Sequence, residues 1–149
     1  MAVHFRPDGF HTVTPYLQTT DGAKLLEFLK AALGAEVIFS MEKPDGRIGH
    51  CQVQIGDSMV EFSDVTGSEH PATTAALHVY VGDVDDAYQR AMKGGGKSLR
   101  EPTDQFYGDR ECAIIDPVGN YWYIATHKED LSPDEMDKRA TASAKEKAS

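Results

Sequence analysis

Two side chains in this sequence have types that could hold a divalent cation. Glu61 offers carboxylate oxygens and His78 offers an imidazole nitrogen, and each lies in a predicted strand. Both groups are common ligands of hard or borderline divalent ions, here Ni, Zn, Mn or Fe. His50 is the candidate for a third ligand. The same residues also allow a second interpretation, in which Glu61 and His78 form a hydrogen-bonded polar pair in a half-wet cavity.

A second group of residues has the amphipathic chemistry of a ligand pocket. Successive side chains of a strand point to opposite faces, so these residues fall on the faces away from the apolar positions. A concave, partly aromatic surface of this kind suits a small molecule. The alternatives are an exposed face and a subunit interface. The predicted pocket residues are Tyr16, His50, Gln52, Tyr80, Arg110, Tyr121 and Tyr123.

Three further positions have an open role. Arg110 could clamp an anionic group of a substrate, or it could form an ion pair with Asp109 that fixes the loop around it. His11 and Thr14 lie in the first predicted strand and could join a site there. The sequence has no GxGxxG, GxxxxGK[ST], GxSxG or HExxH string, which argues against nucleotide-binding, hydrolase and zincin functions.

The elements that must position these side chains follow one pattern twice. The first module has predicted strands at 11–18, 35–41, 48–55 and 58–63, with a helix at 23–33. The second has strands at 75–81, 97–101, 111–115 and 121–126, with a helix that Asp83 caps and that runs to about residue 93. A polar linker spans 64–74 and a loop spans 102–110. Each module therefore reads β-α-β-β-β.

An internal repeat supports this division. Tyr16 and His78, and likewise Glu61 and Tyr123, are 62 positions apart, as are the two predicted helix caps. The domain prediction is a leader at 1–10 and one domain at 11–127, with module 1 at about 11–64 and module 2 at about 75–127. Residues 128–149 are predicted to form a C-terminal helix, capped at Ser132, that ends in a mobile tail.

Composition limits the classes of partner. The chain has 149 residues and a formal charge of −9, which disfavours a nucleic-acid surface. The first ten residues lack the apolar segment of a signal peptide, and no run reaches the length of a membrane span. Cys51 and Cys112 lack a CxxC spacing and are predicted to be reduced and buried. Together these features predict a cytoplasmic protein.

The motifs resemble one known family. The strings TVTPYL, FLKAALGAE, GRIGHCQVQIGDS, LHVYVGDVDDA, QFYGDR and DPVGNYWYIATHKEDLSPDEM look like the PhnB-like branch of the vicinal oxygen chelate superfamily. That superfamily includes glyoxalase I, bleomycin-resistance proteins and extradiol dioxygenases. The resemblance covers about residues 11–139. It implies an α+β fold of two tandem β-α-β-β-β modules that form a cupped half-barrel sheet, and it implies a homodimer.

In metal-bearing members of the family, the ligands come from the first, fourth, fifth and eighth strands. The resemblance places Glu61 at the fourth-strand position and His78 at the fifth. The first-strand position falls on Thr14 or Tyr16, depending on the alignment. At the eighth strand Tyr123 stands where the family pattern GNxxE has its glutamate. Half of the ligand set is therefore kept.

Three functions remain open at this stage. The first is a metal-dependent lyase or isomerase of glyoxalase type, in which Glu61 is the catalytic residue that moves a proton. The second is a metal-free protein that binds and sequesters a small molecule of antibiotic type among its tyrosines. The third is a structural or partner-binding module without a pocket. In the last strand, Trp122 has the parity of the apolar face and is not expected in the pocket.

Overall fold

The computed structural model describes residues 2–68 and 70–148. The predictions for Met1 in the leader, Glu69 in the linker and Ser149 in the tail lie outside the described residues. Module 1 consists of β1 (Tyr16–Thr19), α1 (Gly22–Leu33), β2 (Glu36–Glu42), β3 (Ile48–Ile55) and β4 (Ser58–Asp64). Module 2 consists of β5 (Ala76–Tyr80), α2 (Val84–Lys93), β6 (Lys97–Asp104), β7 (Asp109–Ile115) and β8 (Tyr121–His127), and α3 (Pro133–Ala148) follows it.

Each module forms one four-stranded mixed sheet. The N-terminal sheet has the order β1-β4-β3-β2 and the C-terminal sheet has the order β5-β8-β7-β6. In each sheet the first and last strands of the module pair in parallel, and the other pairs are antiparallel. The predicted α+β fold of two tandem modules is confirmed, and two open sheets of this order correspond to a cupped half-barrel.

The two modules have the same strand register. Tyr16 lies opposite Glu61 in the pair β1·β4, and His78 lies opposite Tyr123 in the pair β5·β8. These are the residues that the sequence repeat relates. The register therefore selects Tyr16, and not Thr14, as the first-strand position of module 1.

Both module helices begin at an aspartate, as predicted. The side chain of Asp21 accepts a hydrogen bond from Lys24 N at 3.1 Å, and that of Asp83 accepts one from Asp86 N at 3.1 Å. Such caps satisfy backbone N–H groups that a helix leaves without intrahelical partners. Helix α1 ends at Gly34, whose φ of 66° is in the left-handed region that glycine adopts at low cost.

The helices cover the apolar faces of both sheets, and the two helices contact each other. Burial of these faces produces one core that is shared by both modules. It includes Leu17, Phe28 and Phe62 from module 1 and Ile114 and Trp122 from module 2. Trp122 is buried on the helix side, as its parity predicts. The opposite faces of the sheets are the ones that carry the candidate site residues.

Two predicted boundaries are wrong. The first strand begins at Tyr16 and not at residue 11, because Pro15 has no N–H to donate to a ladder.

The predicted loop at 102–110 is largely strand, since β6 continues to Asp104 and β7 starts at Asp109. Pro102 is tolerated there because β6 is an edge strand whose register shifts between Arg100 and Thr103.

The C-terminal helix is attached by polar contacts. Ser132 Oγ accepts a hydrogen bond from Glu135 N at 3.1 Å, which is the predicted cap. Arg139 bonds to Glu129 at 2.6 Å and to Glu135 at 3.0 Å. Helix α3 has no buried residue along its described length. The mobility of the tail stays a prediction. None of the described helices is long and apolar enough to cross a membrane.

Candidate functional site

The N-terminal sheet presents a row of polar and aromatic side chains across its outer face. Phe39, Gln52, Glu61 and Tyr16 lie opposite one another on the four adjacent strands. Gln52 Nε2 donates to Glu61 Oε1 at 3.4 Å, which is near the limit of a hydrogen bond. His50 Nε2 lies 3.9 Å from the same oxygen. The Glu61 carboxylate, whose side chain is 20% exposed, therefore has weak partners within the protein.

Aromatic rings lie on the same sheet face as this carboxylate. The ring centroids of Tyr16 and His50 are 5.8 Å apart, and those of Phe39 and His50 are 6.4 Å apart. Tyr16 is 46% exposed and Phe39 is 48% exposed, so both rings have surface that a ligand could cover. The Tyr16 hydroxyl is positioned by a 2.8 Å hydrogen bond with Ser63 Oγ.

The C-terminal sheet holds a different arrangement around Glu111. This side chain is only 6% exposed, and three groups contact its carboxylate. The Arg100 guanidinium donates to Oε1, His78 Nε2 lies 3.1 Å from Oε2, and the Tyr107 hydroxyl donates to Oε2 at 3.0 Å. The predicted pocket residue Tyr123 lies opposite His78 on the same face. Burial and the Glu111 carboxylate raise the pKa of Tyr107 to about 12.

A second buried carboxylate, that of Asp109, lies on the same face of β7, two residues before Glu111. The Tyr80 hydroxyl donates to its Oδ2 at 2.9 Å, and His127 Nδ1 lies 2.7 Å from its Oδ1. The other ring nitrogen of His127 lies 2.7 Å from Asp130 Oδ1. These contacts raise the pKa of Tyr80, mainly through its bond to Asp109, and the pKa of His127, through both carboxylates.

Arg110 differs from its predicted place in the pocket. Its neighbours Asp109 and Glu111 face outward, so Arg110 points to the helix side of β7. There it forms a two-pronged ion pair with Asp85 of α2, at 2.9 and 3.0 Å, and a 3.2 Å bond to Asp104. The pKa of Asp85 is lowered and that of Arg110 is raised as a result. The ion-pair alternative describes Arg110 best, although its partners are not Asp109.

Glu61 and His78 do not form the expected pair within one chain. They belong to different sheets, and each has other partners on its own sheet. Among residues 2–68 and 70–148 there is no group of three or more His, Cys, Asp or Glu side chains that could hold a metal ion. The donor set of one chain therefore does not fit the divalent site that the sequence suggested.

A cleft of about 580 Å³ opens beside the outer edge of β5. His78 and Tyr80 of β5 line one wall, and His11 and Thr14 of the irregular N-terminal segment line another. The cleft thus brings together four residues that the sequence had singled out, and it is also lined by Trp122, which strand parity had placed outside the pocket. Glu61, His50, Gln52 and Tyr16 lie on the face of the N-terminal sheet, and Tyr121 remains 40% exposed at the start of β8.

Sequence reasoning missed Glu111 with its partners Arg100 and Tyr107, and it gave Asp109 only a structural role in a loop. The signal was present, because Asp109, Glu111 and Ala113 alternate with Cys112 and Ile114 along β7. Strand parity places the first three on the same face as Tyr123 and Ala125. Applying the parity rule to the seventh strand would have identified the two carboxylates.

The DPVGN motif and the two cysteines are structural. The buried carboxylate of Asp116 accepts hydrogen bonds from Val118 N, from both nitrogens of Asn120 and from Trp122 Nε1, at 2.8 to 3.0 Å. Cys51 and Cys112 are free and buried, as predicted. Burial raises the pKa of both thiols, that of Cys112 to about 11, which disfavours the reactive thiolate.

Paired β-α-β-β-β modules with polar sheet faces define a class of proteins that bind small molecules. Comparison with known proteins identifies the family. The family described as the Glyoxalase/Bleomycin resistance protein/Dioxygenase superfamily matches residues 9–124. The chain belongs to this superfamily. An uncharacterized protein of Mycobacterium bovis is 27% identical over 146 residues, which cover 91% of this chain and 93% of that protein.

Solved structures agree on the fold. The crystal structure of TioX from Micromonospora sp. ML1 has a TM-score of 0.66 at 20% identity and covers 78% of this chain and 98% of its own. TnmS3, an antibiotic binding protein from Streptomyces sp. CB03234, has a TM-score of 0.62 at 21% identity and covers 86% of this chain and 99% of its own. At these identities the similarity establishes the fold alone.

Proposed function

We propose that this protein binds a small molecule on the polar, aromatic faces of its sheets and does so without a catalytic metal. The observation that carries the proposal is the row Phe39, Gln52, Glu61 and Tyr16, in which two half-exposed rings share one sheet face with a carboxylate that has weak partners. An amphipathic surface with a few convergent polar groups is typical of ligand sites. The cleft beside β5, which includes His78 and Tyr80, is a second candidate surface and shares no lining residue with this row.

The ligand set argues against a metal-dependent reaction in this chain. The family resemblance, with the register that pairs Tyr16 with Glu61, assigns Tyr16 and Tyr123 to two of the four positions that supply ligands in metal-bearing members. A tyrosine binds a metal as phenolate, and its ordinary pKa near 10 makes that form costly at neutral pH. His78 is already engaged by Glu111 at 3.1 Å. The metal-free binding protein is therefore the function that these residues support best.

The similarity to TnmS3 favours the same class of function. That protein is an antibiotic binding protein, and this chain shares its fold over most of both lengths. By this analogy the ligand would be an organic molecule of antibiotic type. Assignment to the PhnB-like branch and to the cytoplasm remains part of this proposal.

We include a homodimer in the proposal. The accessible surface is 9160 Å², whereas a compact monomer of 16.3 kDa would expose about 7,500 Å². Part of the excess belongs to α3, which has no buried residue. Another part belongs to edge strand β2, where Val37, Ile38 and Met41 are all exposed. An apolar edge strand favours pairing with a second copy.

The deciding experiment is a metal analysis of tag-free protein together with thermal shift on addition of nickel, zinc, manganese or chelator. We expect less than stoichiometric metal and a melting temperature that chelator leaves unchanged. In chelator, amide chemical shifts of β1, β3 and β4 should still respond to a panel of aromatic ligands. Stoichiometric metal that is lost in both Glu61→Ala and His78→Ala would overturn the proposal in favour of the glyoxalase-type enzyme.

A further inference from the structure

The two modules treat their outward-facing carboxylates differently. In module 2, Glu111 has an internal cation, because Arg100 bonds to it, and it accepts two further bonds from His78 and Tyr107. In module 1, the basic side chain nearest to Glu61 is that of His50, whose Nε2 lies 3.9 Å from Glu61 Oε1. The protein thus neutralises one carboxylate itself and leaves the other without a lysine or arginine partner among the described residues.

The acceptor capacity of Glu61 is largely unused by the protein. A carboxylate can accept about four hydrogen bonds, and the described protein contacts supply one, from Gln52 at 3.4 Å. The side chain is nevertheless mostly covered, with 20% of it exposed. A partly desolvated negative charge of this kind gains strongly from a cation that enters the site.

The walls of the site suit an organic cation better than a bare one. Tyr16 lies opposite Glu61 in the pair β1·β4. His50, 3.9 Å from the carboxylate, lies near the rings of Tyr16 and Phe39, at centroid distances of 5.8 and 6.4 Å. The faces of tyrosine and phenylalanine rings, here Tyr16 and Phe39, attract ammonium and guanidinium groups within about 6 Å. The rings also cover apolar surface of whatever carries the charge.

We propose that the outer face of the N-terminal sheet binds the protonated amine of an aromatic ligand, with Glu61 as its counter-ion and Tyr16, His50 and Phe39 as the walls. This inference rests on the proposed binding function and names the ligand class for it. The formal charge of −9 adds a long-range attraction for cations. Glu61 supplies a negative charge for the ligand. Glu111, on the other sheet, does not, because its carboxylate is already paired with Arg100.

The test compares two ligands of nearly equal shape, tryptamine, which is cationic at neutral pH, and tryptophol, its neutral alcohol analogue. Isothermal titration in chelator should give an affinity for tryptamine at least about tenfold higher, which is the size of one charge-assisted hydrogen bond. Glu61→Gln should abolish this preference while keeping an amide in place of the carboxylate. Chemical shifts should map the ligand to β1, β2, β3 and β4.

The matched control is Glu27→Gln, which removes the same charge from an exposed position on α1, behind the sheet. It should keep the full preference for tryptamine. Equal affinities of the two ligands for the wild-type protein, or an unchanged preference in Glu61→Gln, would overturn the cation site while leaving a binding protein. Failure of both ligands and of the whole aromatic panel to bind would overturn the proposed function as well.

Discussion

His78 Nε2 lies 3.1 Å from Glu111 Oε2 on the outer face of the C-terminal sheet. The sequence suggested Glu61 as the acidic neighbour of His78, but the structure gives His78 a carboxylate from its own module. This contact changes the interpretation of the site, because it leaves Glu61 without its expected imidazole partner.

We expect Glu111→Ala to destabilise the protein by about 1–3 kcal/mol, because it leaves the Arg100, His78 and Tyr107 donors without their acceptor in a largely buried position. Urea denaturation would measure the loss. Glu101→Ala, at an exposed position of β6, is the control and should change little. A loss for Glu111→Ala no larger than that of the control would contradict the network.

The titration of Tyr107 provides a second measure of the same network. Burial, and then the hydrogen bond from Tyr107 to Glu111, raise its pKa to about 12. In Glu111→Gln the pKa should fall toward its ordinary value of 10.0, with burial holding it part of the way up. Tyrosinate absorbance against pH, with Tyr107→Phe to assign the signal, would follow the change. The same titration curve in both proteins would contradict the assignment.

Replacement of Asp116 should be among the most damaging single changes in the turn regions. Its buried carboxylate accepts four hydrogen bonds, including one from Trp122 Nε1 at 2.8 Å. We expect Asp116→Ala to cost about 2–4 kcal/mol, because several donors lose a charged acceptor at once. The fluorescence of Trp122, the single tryptophan, reports unfolding directly. Asp45→Ala, in the exposed β2–β3 turn, should cost far less.

His127 should make stability depend on pH above its ordinary pKa of 6.5. Bonds to Asp109 and Asp130 raise the folded-state pKa, so the imidazolium adds stability that is fully present below the unfolded pKa. That stability is lost as pH rises through the raised folded value. The melting temperature of the wild type should therefore fall as the pH is raised from about 6, just below the unfolded pKa. The melting temperature of His127→Gln should change less over the same range. A His4→Gln control should follow the wild type.

The dimer predicts a sedimenting mass of twice 16.3 kDa at micromolar concentration. Ile38→Lys should shift the equilibrium to monomer, because it buries a charge where an exposed apolar strand edge would pair. Val3→Lys places the same charge at the exposed N-terminal segment and should leave the mass unchanged. Wild-type protein that sediments as a monomer throughout would remove the dimer from the proposal.

Much of the fold could be read from local patterns. Short-range chemistry explains the aspartate caps at 21 and 83 and the alternation in β3, β4, β5 and β8. The repeat of 62 residues is found by comparing the two halves of the sequence. The structure has all of these features. The start of β1 near Pro15 and the continuation of β6 through Pro102 were harder to predict from the sequence. Whether a strand tolerates a proline depends on whether that strand lies at the edge of its sheet. That depends on the order of strands in the sheet.

The site was less accessible from sequence, for a physical reason. Strand parity assigns Glu61 and His78 each to one face of its own sheet. It does not show whether those two sheet faces contact each other. The partner of His78 was decided by the register of β5, β8 and β7, which brings Glu111 within reach across two strand pairs. The same limit applies to Arg110, whose acceptor Asp85 lies 25 residues away on a helix.

The single core that spans both modules has a consequence for how such a chain could arise. One module alone would expose the surface of its helix that now contacts the helix of the other. A module on its own would therefore need a second copy to bury this surface. In one polypeptide that carries both modules, the same contact is internal. Equivalent positions of the two modules can then differ, and Glu61 and Tyr123, which lie 62 residues apart, are one such pair.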